Sequence, residues 1–119
     1  MSIVEACESK TNTTPEFPMG WYSVARSQEL LVGEVKAVQA FDREFVLYRT
    51  RSGVPVLQDA YCPHLGAHLG VKGRVIGESI RCPFHGWRYG TDGMCEHIPY
   101  SEEIPERARL RTWHCEEKN

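Results

Sequence analysis

Hydrophobic and polar residues alternate with the period of a β-strand over much of the chain. Four segments combine this alternation with β-branched and aromatic residues: Trp21–Ala25, Val35–Phe41, Phe45–Thr50 and Val54–Tyr61. The short segments 41–44 and 51–53, rich in polar residues and glycine, predict hairpin turns between the last three of these strands. Because no segment shows a long helical period, we predict an all-β fold, an antiparallel sandwich or partial barrel.

Residues 60–100 differ from the rest of the chain because glycine is frequent there. We predict that they form a subdomain of two loops inserted into the β base, with short strands at Ile76–Arg81 and Trp87–Tyr89 and a hairpin turn at Thr91–Gly93. Residues Arg107–His114 alternate again and predict a return strand of the base. Residues 1–16 are polar and predict a flexible tail, so the domain is expected to cover 17–119.

Composition and charge exclude several functions. The 119 residues carry a formal net charge of −2, which provides no basic surface for nucleic acid. No apolar run approaches the roughly 20 residues of a membrane-spanning helix, and the N-terminus lacks the basic and apolar regions of a signal peptide. We therefore expect a cytoplasmic protein without a membrane span.

Two glycine-rich stretches carry the candidate chemistry. Cys62 and His64 form a C-x-H pattern, seventeen residues follow, and Cys82 and His85 form a C-x-x-H pattern. A structural zinc finger usually takes its cysteines from one turn and its histidines from another, whereas each stretch here is mixed. This distribution suits a two-metal cluster, the Rieske [2Fe–2S] centre, in which two Cys hold one iron and two His the other. A mononuclear zinc site is the alternative.

The same ligand set predicts the electronic properties of such a cluster. Two ferric ions, two sulfides and two thiolates sum to zero charge, whereas a cluster with four cysteines would be a dianion. Reduction is therefore easier, and we expect a potential well above that of plant-type ferredoxins. The added electron should reside on the iron held by His64 and His85, because neutral imidazoles stabilise ferrous iron better than thiolates do.

The stretch Cys62–Gly90 and the following Thr91–Tyr100 resemble the Rieske domain of terminal oxygenases, most closely the steroid-acting group of 3-ketosteroid 9α-hydroxylase oxygenases and cholesterol 7-desaturases. Pro18–Ala25 and Ile104–Ala108 also resemble segments of these oxygenases. The resemblance implies a Rieske fold and one [2Fe–2S] cluster per chain. It also implies two partners: an NAD(P)H-dependent reductase or ferredoxin, and an oxygenase catalytic domain or subunit.

Respiratory Rieske proteins differ from this chain at three positions. They carry an additional cysteine in each loop, joined as a disulfide, where this chain has Ala67 and Phe84. They also supply a serine hydroxyl to a cluster sulfur where this chain has Trp87. These differences favour the oxygenase or ferredoxin branch and, with fewer hydrogen bonds to sulfur, a potential in the lower part of the Rieske range.

Three functions follow as hypotheses. The first is the N-terminal Rieske domain of an oxygenase subunit, which relays one electron from a reductase to a mononuclear iron. The second is a free-standing Rieske ferredoxin, and the third is a zinc-bound binding module without redox activity. We assign no catalytic residue, because His97 and His114 have no third partner for a mononuclear iron site.

The remaining candidate residues are expected to be structural. We interpret His68, His97 and His114 as non-ligands, Trp87 as packing under the cluster and Cys95 as a small buried filler. Cys7 is interpreted as an inert free thiol. The chain stops where the resembling oxygenases run one further strand, so we expect a fragment of such a subunit, with a short natural protein as the alternative.

Overall fold

The computed structural model describes residues 3–8, 22–40 and 42–118, and in this part of the chain two antiparallel sheets contain all the named strands. The larger sheet has the strand order β2-β1-β10-β5-β4-β3. Its strands are β1 (Ile3–Glu8), β2 (Tyr22–Arg26), β3 (Val35–Ala40), β4 (Arg43–Arg49), β5 (Pro55–Asp59) and β10 (Thr112–Lys118). The predicted all-β architecture is confirmed.

The smaller sheet is formed by the part of the chain that follows β5 and precedes β10 in sequence, and its strand order is β6-β7-β8-β9. Its strands are β6 (Arg74–Ile76), β7 (Ser79–Arg81), β8 (Arg88–Tyr89) and β9 (Cys95–His97). The predicted turn at Thr91–Gly93 joins β8 to β9, and Gly93 adopts the positive φ of 86° that such a turn requires. A 3₁₀ helix at Ser27–Glu29 follows β2.

Strand β4 joins the two sheets because both of its faces are buried. Phe45 and Leu47 pack into the core of the larger sheet, with Val4, Leu57 and Trp113 among its members. The alternate residues Val46 and Tyr48 belong to a second core that also contains the two cysteines of the candidate motif, Cys62 and Cys82. Because the side chains of β4 alternate between its two faces, this one strand contributes to both cores and connects the small sheet and its loops to the larger sheet.

Three predictions about secondary structure are wrong. Residues 3–8 are not a flexible tail: Val4 and Ala6 are buried, and β1 pairs with both β10 and β2. Ile76–Arg81 is not one strand, because Gly77 takes a positive φ of 61° and turns the chain into the β6–β7 hairpin. The return strand begins at Thr112 rather than Arg107, since the chain turns at residues 106–107 before it.

Several predictions lie outside the described residues. They concern residues 9–16 of the predicted tail, residues 17–21, Phe41, Asn119 and the side chain of Cys7. Among the described residues there is no helix long and apolar enough to cross a membrane.

A buried arginine ties the larger sheet together. Arg49 at the end of β4 is only 8% exposed, and its guanidinium donates to Leu30 O at 2.6 Å and Gly53 O at 2.8 Å. It also forms a two-pronged ion pair with Glu117 of β10, at 2.7 and 3.0 Å. One side chain therefore joins the 3₁₀ helix region, the β4–β5 turn and the last strand.

Replacing Arg49 by methionine is expected to lower the free energy of unfolding by about 3 kcal/mol, because buried carbonyls and a carboxylate lose their donor. Glu117→Gln should cost at most about 1 kcal/mol, because that carboxylate is one-third exposed. The Arg49 hydrogen bonds lower the pKa of Glu117 below its ordinary value of 4.5. The contribution of this ion pair to the free energy of unfolding is therefore fully present above that pH and is lost as the pH falls through the pKa of Glu117 in the folded state. Urea denaturation checks both variants, and an Arg49→Met midpoint equal to that of wild type would contradict the assignment.

Candidate metal centre

The two loops of the motif have the same backbone structure. In the first, the Cys62 amide donates to Ala67 O at 2.9 Å and the Gly66 amide donates to Cys62 O at 2.8 Å. In the second, the same two hydrogen bonds recur five and four residues apart: Cys82 N to Trp87 O at 2.8 Å and Gly86 N to Cys82 O at 3.2 Å. Two loops of one design therefore lie side by side.

A glycine closes each loop, and its conformation explains why glycine is needed. Gly66 and Gly86 both have φ of 75°, in the region that residues with a Cβ rarely adopt. At Gly86 a Cβ would also lie 3.0 Å from Pro99 Cγ. These turns reverse the chain immediately after each histidine-bearing tip.

Like donors are paired across the two loops. The thiols of Cys62 and Cys82 are buried in one core, 1% and 3% exposed, and they interact closely enough that each shifts the pKa of the other. The imidazole rings of His64 and His85 lie with their centroids 5.0 Å apart, His64 half-buried and His85 exposed. The cysteine pair therefore forms the inner side of the site and the histidine pair its outer side.

Backbone amides surround the inner sulfurs. Hydrogen bonds from the Cys82 thiol, the Tyr89 hydroxyl and the amides of His64 and Leu65 lower the pKa of Cys62 to about 6. The proton shared with Cys62 and burial raise the pKa of Cys82, although amides two and three residues along that loop point at its sulfur as well. The pair thus holds one thiolate readily, and a metal must displace the proton that remains.

This donor set fits a binuclear cluster better than a single ion. Among the residues that the structure describes, no three His, Cys, Asp or Glu side chains converge to hold one metal ion. A tetrahedral zinc site needs four donors at one point, whereas each iron of a [2Fe–2S] centre takes two side chains and shares two sulfides. One thiol pair, one imidazole pair and amides directed at sulfur match the second requirement.

Trp87 is buried under the histidine side of the site, as predicted. It is 5% exposed, and its ring stacks on His64 with centroids 4.2 Å apart and planes inclined by 6°. Its indole N–H donates to the Tyr100 hydroxyl at 2.6 Å. The stack fixes the plane of the His64 ring, which a metal ligand requires.

Tyr89 is the site residue that the sequence analysis missed. It is fully buried on β8, and its hydroxyl lies 3.1 Å from Cys62 Sγ. The sequence signal is the two-residue period of a strand, which puts Tyr89 on the same face as Trp87, but only the structure shows that this face, where Tyr89 pairs with Ile80, is the buried one. The expectation of fewer hydrogen bonds to sulfur than in respiratory Rieske proteins stays a prediction.

Tyr89→Phe is expected to lower the reduction potential on the order of 40 mV, because one hydrogen bond of about 1 kcal/mol to a sulfur ligand favours the more negative, reduced state. A potentiometric titration of both proteins measures the difference. Tyr61→Phe, which removes an exposed hydroxyl bonded to Glu44, is the control and should leave the potential unchanged. Equal potentials for wild type and Tyr89→Phe would contradict the role of this hydroxyl.

The other candidate residues lie apart from the donor pairs. His68 accepts a hydrogen bond from the Gly70 amide at 2.9 Å and packs edge-on against Tyr61, which is a structural role. Cys95 is buried with its thiol 3.7 Å from His97 O, and burial raises its pKa, as expected of an inert filler. His97 and His114 are exposed on β9 and β10.

Comparison with known proteins agrees with this geometry. Residues 20–113 match the family model of the Rieske [2Fe-2S] domain. Over 105 residues, 88% of this chain, the sequence is 48% identical to cholesterol 7-desaturase nvd 1 of Ciona intestinalis. Over 103 residues, 87% of this chain, it is 40% identical to the oxygenase component of 3-ketosteroid-9-alpha-monooxygenase of Rhodococcus rhodochrous. The resemblance inferred from the motif residues is confirmed.

Solved structures show the same fold. Dicamba monooxygenase with non-heme iron and dicamba superposes with a TM-score of 0.72 at 29% identity, over 78% of this chain and 28% of that chain. NdmA of Pseudomonas putida CBB5 superposes with a TM-score of 0.67 at 31% identity, over 72% of this chain and 26% of that chain. The chain spans 22% and 27% of the lengths of the desaturase and the monooxygenase component named above.

Proposed function

Because the chain belongs to the Rieske [2Fe–2S] domain family, we propose that Cys62 and Cys82 hold one iron of the cluster and that His64 and His85 hold the other. The observation that carries this assignment is the pairing across the loops, with two adjacent thiols inside and two imidazoles 5.0 Å apart outside. When bound, the cluster accepts and releases one electron. We assign no catalytic residue to this chain.

The surrounding residues determine how the site would work. Burial of the thiols excludes water from the inner side, and the hydrogen bond from Tyr89 and the amide hydrogen bonds stabilise negative charge on sulfur. His85 is exposed, so its ring is accessible to a partner protein. Trp87 holds the His64 ring in place. The residues therefore bury the ligands that carry charge and expose the side through which electrons pass.

The proposed physiological role is one-electron relay from an NAD(P)H-dependent reductase or ferredoxin to the mononuclear iron of an oxygenase. Its support is the similarity to a sterol desaturase and to the oxygenase component of a steroid monooxygenase. Because the chain spans about a quarter of these proteins, we propose that it functions as the electron-accepting domain of an oxygenase subunit. The cytoplasmic location expected from the sequence stays a prediction.

A potentiometric titration followed by electron paramagnetic resonance tests this function. The chain with its cluster is expected to take up one electron, to give a rhombic signal on reduction, and to have a potential between about −150 and +300 mV. A protein that binds zinc and gives no signal would contradict the proposal. A potential near −400 mV would contradict the histidine ligands.

A free-standing ferredoxin is the second candidate, and the native gene product distinguishes it from an oxygenase domain. A subunit of oxygenase size with about three irons supports the domain, because a mononuclear iron adds to the two of the cluster. A subunit near the length of this chain with about two irons supports the ferredoxin.

A further inference from the structure

A row of cationic side chains crosses the outer face of the small sheet. Arg74 of β6 lies opposite Arg81 of β7, Arg81 lies opposite Arg88 of β8, and Arg88 lies opposite His97 of β9. Residues directly opposite in antiparallel strands point to the same face, and neighbouring strands are about 4.8 Å apart. Three guanidinium groups and an imidazole are therefore aligned across four strands.

Acidic residues of the same sheet lie toward its other end. Glu78 is in the β6–β7 turn and Asp92 in the β8–β9 turn, while Glu96 occupies a bulge of β9. A cleft of about 560 Å³ is lined by all three carboxylates. The cationic row, in contrast, adjoins the cluster loops: Arg81 immediately precedes Cys82, and Arg88 follows Trp87. Arg88 also lines this acidic cleft, so the separation of charge along the strands concerns Arg74 and Arg81. The whole chain is slightly acidic.

The fold does not explain this row. Arg88 has Glu96 at 3.4 Å, but within residues 3–8, 22–40 and 42–118 the structure gives no ion pair or hydrogen bond to the guanidinium of Arg74 or Arg81. Both side chains are exposed. Like charges directly opposite one another in adjacent strands are destabilising, so the row has a cost, and for Arg74 and Arg81 the described residues provide no compensation. Such an arrangement indicates an external anionic partner.

The surroundings of the row indicate a protein partner. A cleft of about 280 Å³ opens between Arg81, Arg88 and His97 and reaches Gly86 of the second loop. The non-histidine tip residues of the two loops are apolar and exposed, Leu65 at 61% and Phe84 at 67%. An apolar patch bordered by charge is typical of a protein interface, whereas a small anion needs no apolar surface.

We propose that this cationic row, together with the apolar loop tips, is the docking site of an acidic electron-donor protein. The proposal rests on the proposed function and identifies the surface through which the electron arrives. In the transfer, the reduced donor loses one electron and the oxidised cluster of this chain gains it, with no bond made or broken. A donor that arrives by diffusion benefits from electrostatic steering, whereas an acceptor domain in the same subunit does not need it.

The test is the rate of reduction of the full chain with its cluster by an acidic plant-type ferredoxin, followed by stopped-flow absorbance at several salt concentrations. Arg74→Gln/Arg81→Gln should lower the second-order rate constant about tenfold at low salt, and the difference should vanish at high salt as charges are screened. Each single variant should give an intermediate rate. Arg81→Lys keeps the charge and should retain most of the rate.

Arg51→Gln is the matched control, since it removes one charge beside the far end of the same sheet, where the Arg51 amide is bonded to Gly77 O. It should react as wild type does. The reduction potential of every variant is measured in parallel. A change in docking alters the rate constant in a salt-dependent way and leaves the potential fixed, whereas a change in the cluster alters the potential itself.

Three results would overturn the proposal. The double variant could match Arg51→Gln at every salt concentration. After reduction, the double variant could be oxidised more slowly than wild type by the small anion ferricyanide, which takes one electron from the reduced cluster, while the rate of reduction by ferredoxin stays unchanged; this would make the row a small-anion site. If the wild-type protein gives no rhombic signal and accepts no electron, the proposed function itself fails. If the wild-type protein carries a working cluster but the variants are reduced as fast as wild type, only the docking surface is overturned.

Discussion

Replacing His85 by cysteine is expected to leave a cluster in place but to lower its reduction potential by about 200 mV or more. The substitution exchanges a neutral ligand for a thiolate, so the oxidised cluster becomes an anion that resists a further electron. His85 is the better of the two histidines for this test, because it is exposed, whereas His64 is stacked on Trp87. Potentiometry and electron paramagnetic resonance measure the change.

The control for this substitution is His68→Cys. His68 lies four residues after His64, but its Nδ1 accepts a hydrogen bond from Gly70, so it does not face the donor pairs. The potential of this variant should equal that of wild type. An unchanged potential in His85→Cys, or the same fall in both variants, would refute His85 as a ligand.

Replacing Cys82 by alanine is expected to abolish the cluster, with iron content falling from about two per chain to near zero. The stability should fall with it, because a bound cluster stabilises the folded state by linkage and Cys82 belongs to the core beneath the small sheet. Iron and sulfide analysis, visible absorbance and thermal unfolding measure the effect.

Cys95→Ala provides the control for that loss. Cys95 belongs to the same core and is similarly buried, 6% against 3% for Cys82, so the two substitutions remove the same atom from comparable surroundings. Cys95→Ala should keep about two irons per chain. Retention of iron in Cys82→Ala, or its loss in both variants alike, would contradict the assignment of Cys82.

The motif, the all-β architecture and the family could be predicted from the sequence because each depends on local information. The type and spacing of Cys62, His64, Cys82 and His85 are visible in the chain itself, and alternation marks the central strands. The structure adds what spacing cannot provide, namely that both thiols lie inside and both rings outside.

The errors arose where distant parts of the chain decide the structure. Ile3–Glu8 lacks the regular alternation that marks the central strands, and it becomes a strand because β10 and β2 supply partners on both sides. Tyr89 could be placed at the Cys62 sulfur only with knowledge of which face of β8 is buried. The arginine row is likewise invisible in the sequence, where Arg74, Arg81 and Arg88 are seven residues apart. Register across three strands aligns them.

The most direct test of the central claim is the nitrogen coupling of the reduced cluster, measured by pulsed electron paramagnetic resonance on protein labelled with ¹⁵N-histidine. The account predicts two strongly coupled histidine nitrogens in wild type and in His68→Cys, and one in His85→Cys. Absence of histidine coupling in a reduced cluster would contradict the division of ligands into a cysteine pair and a histidine pair.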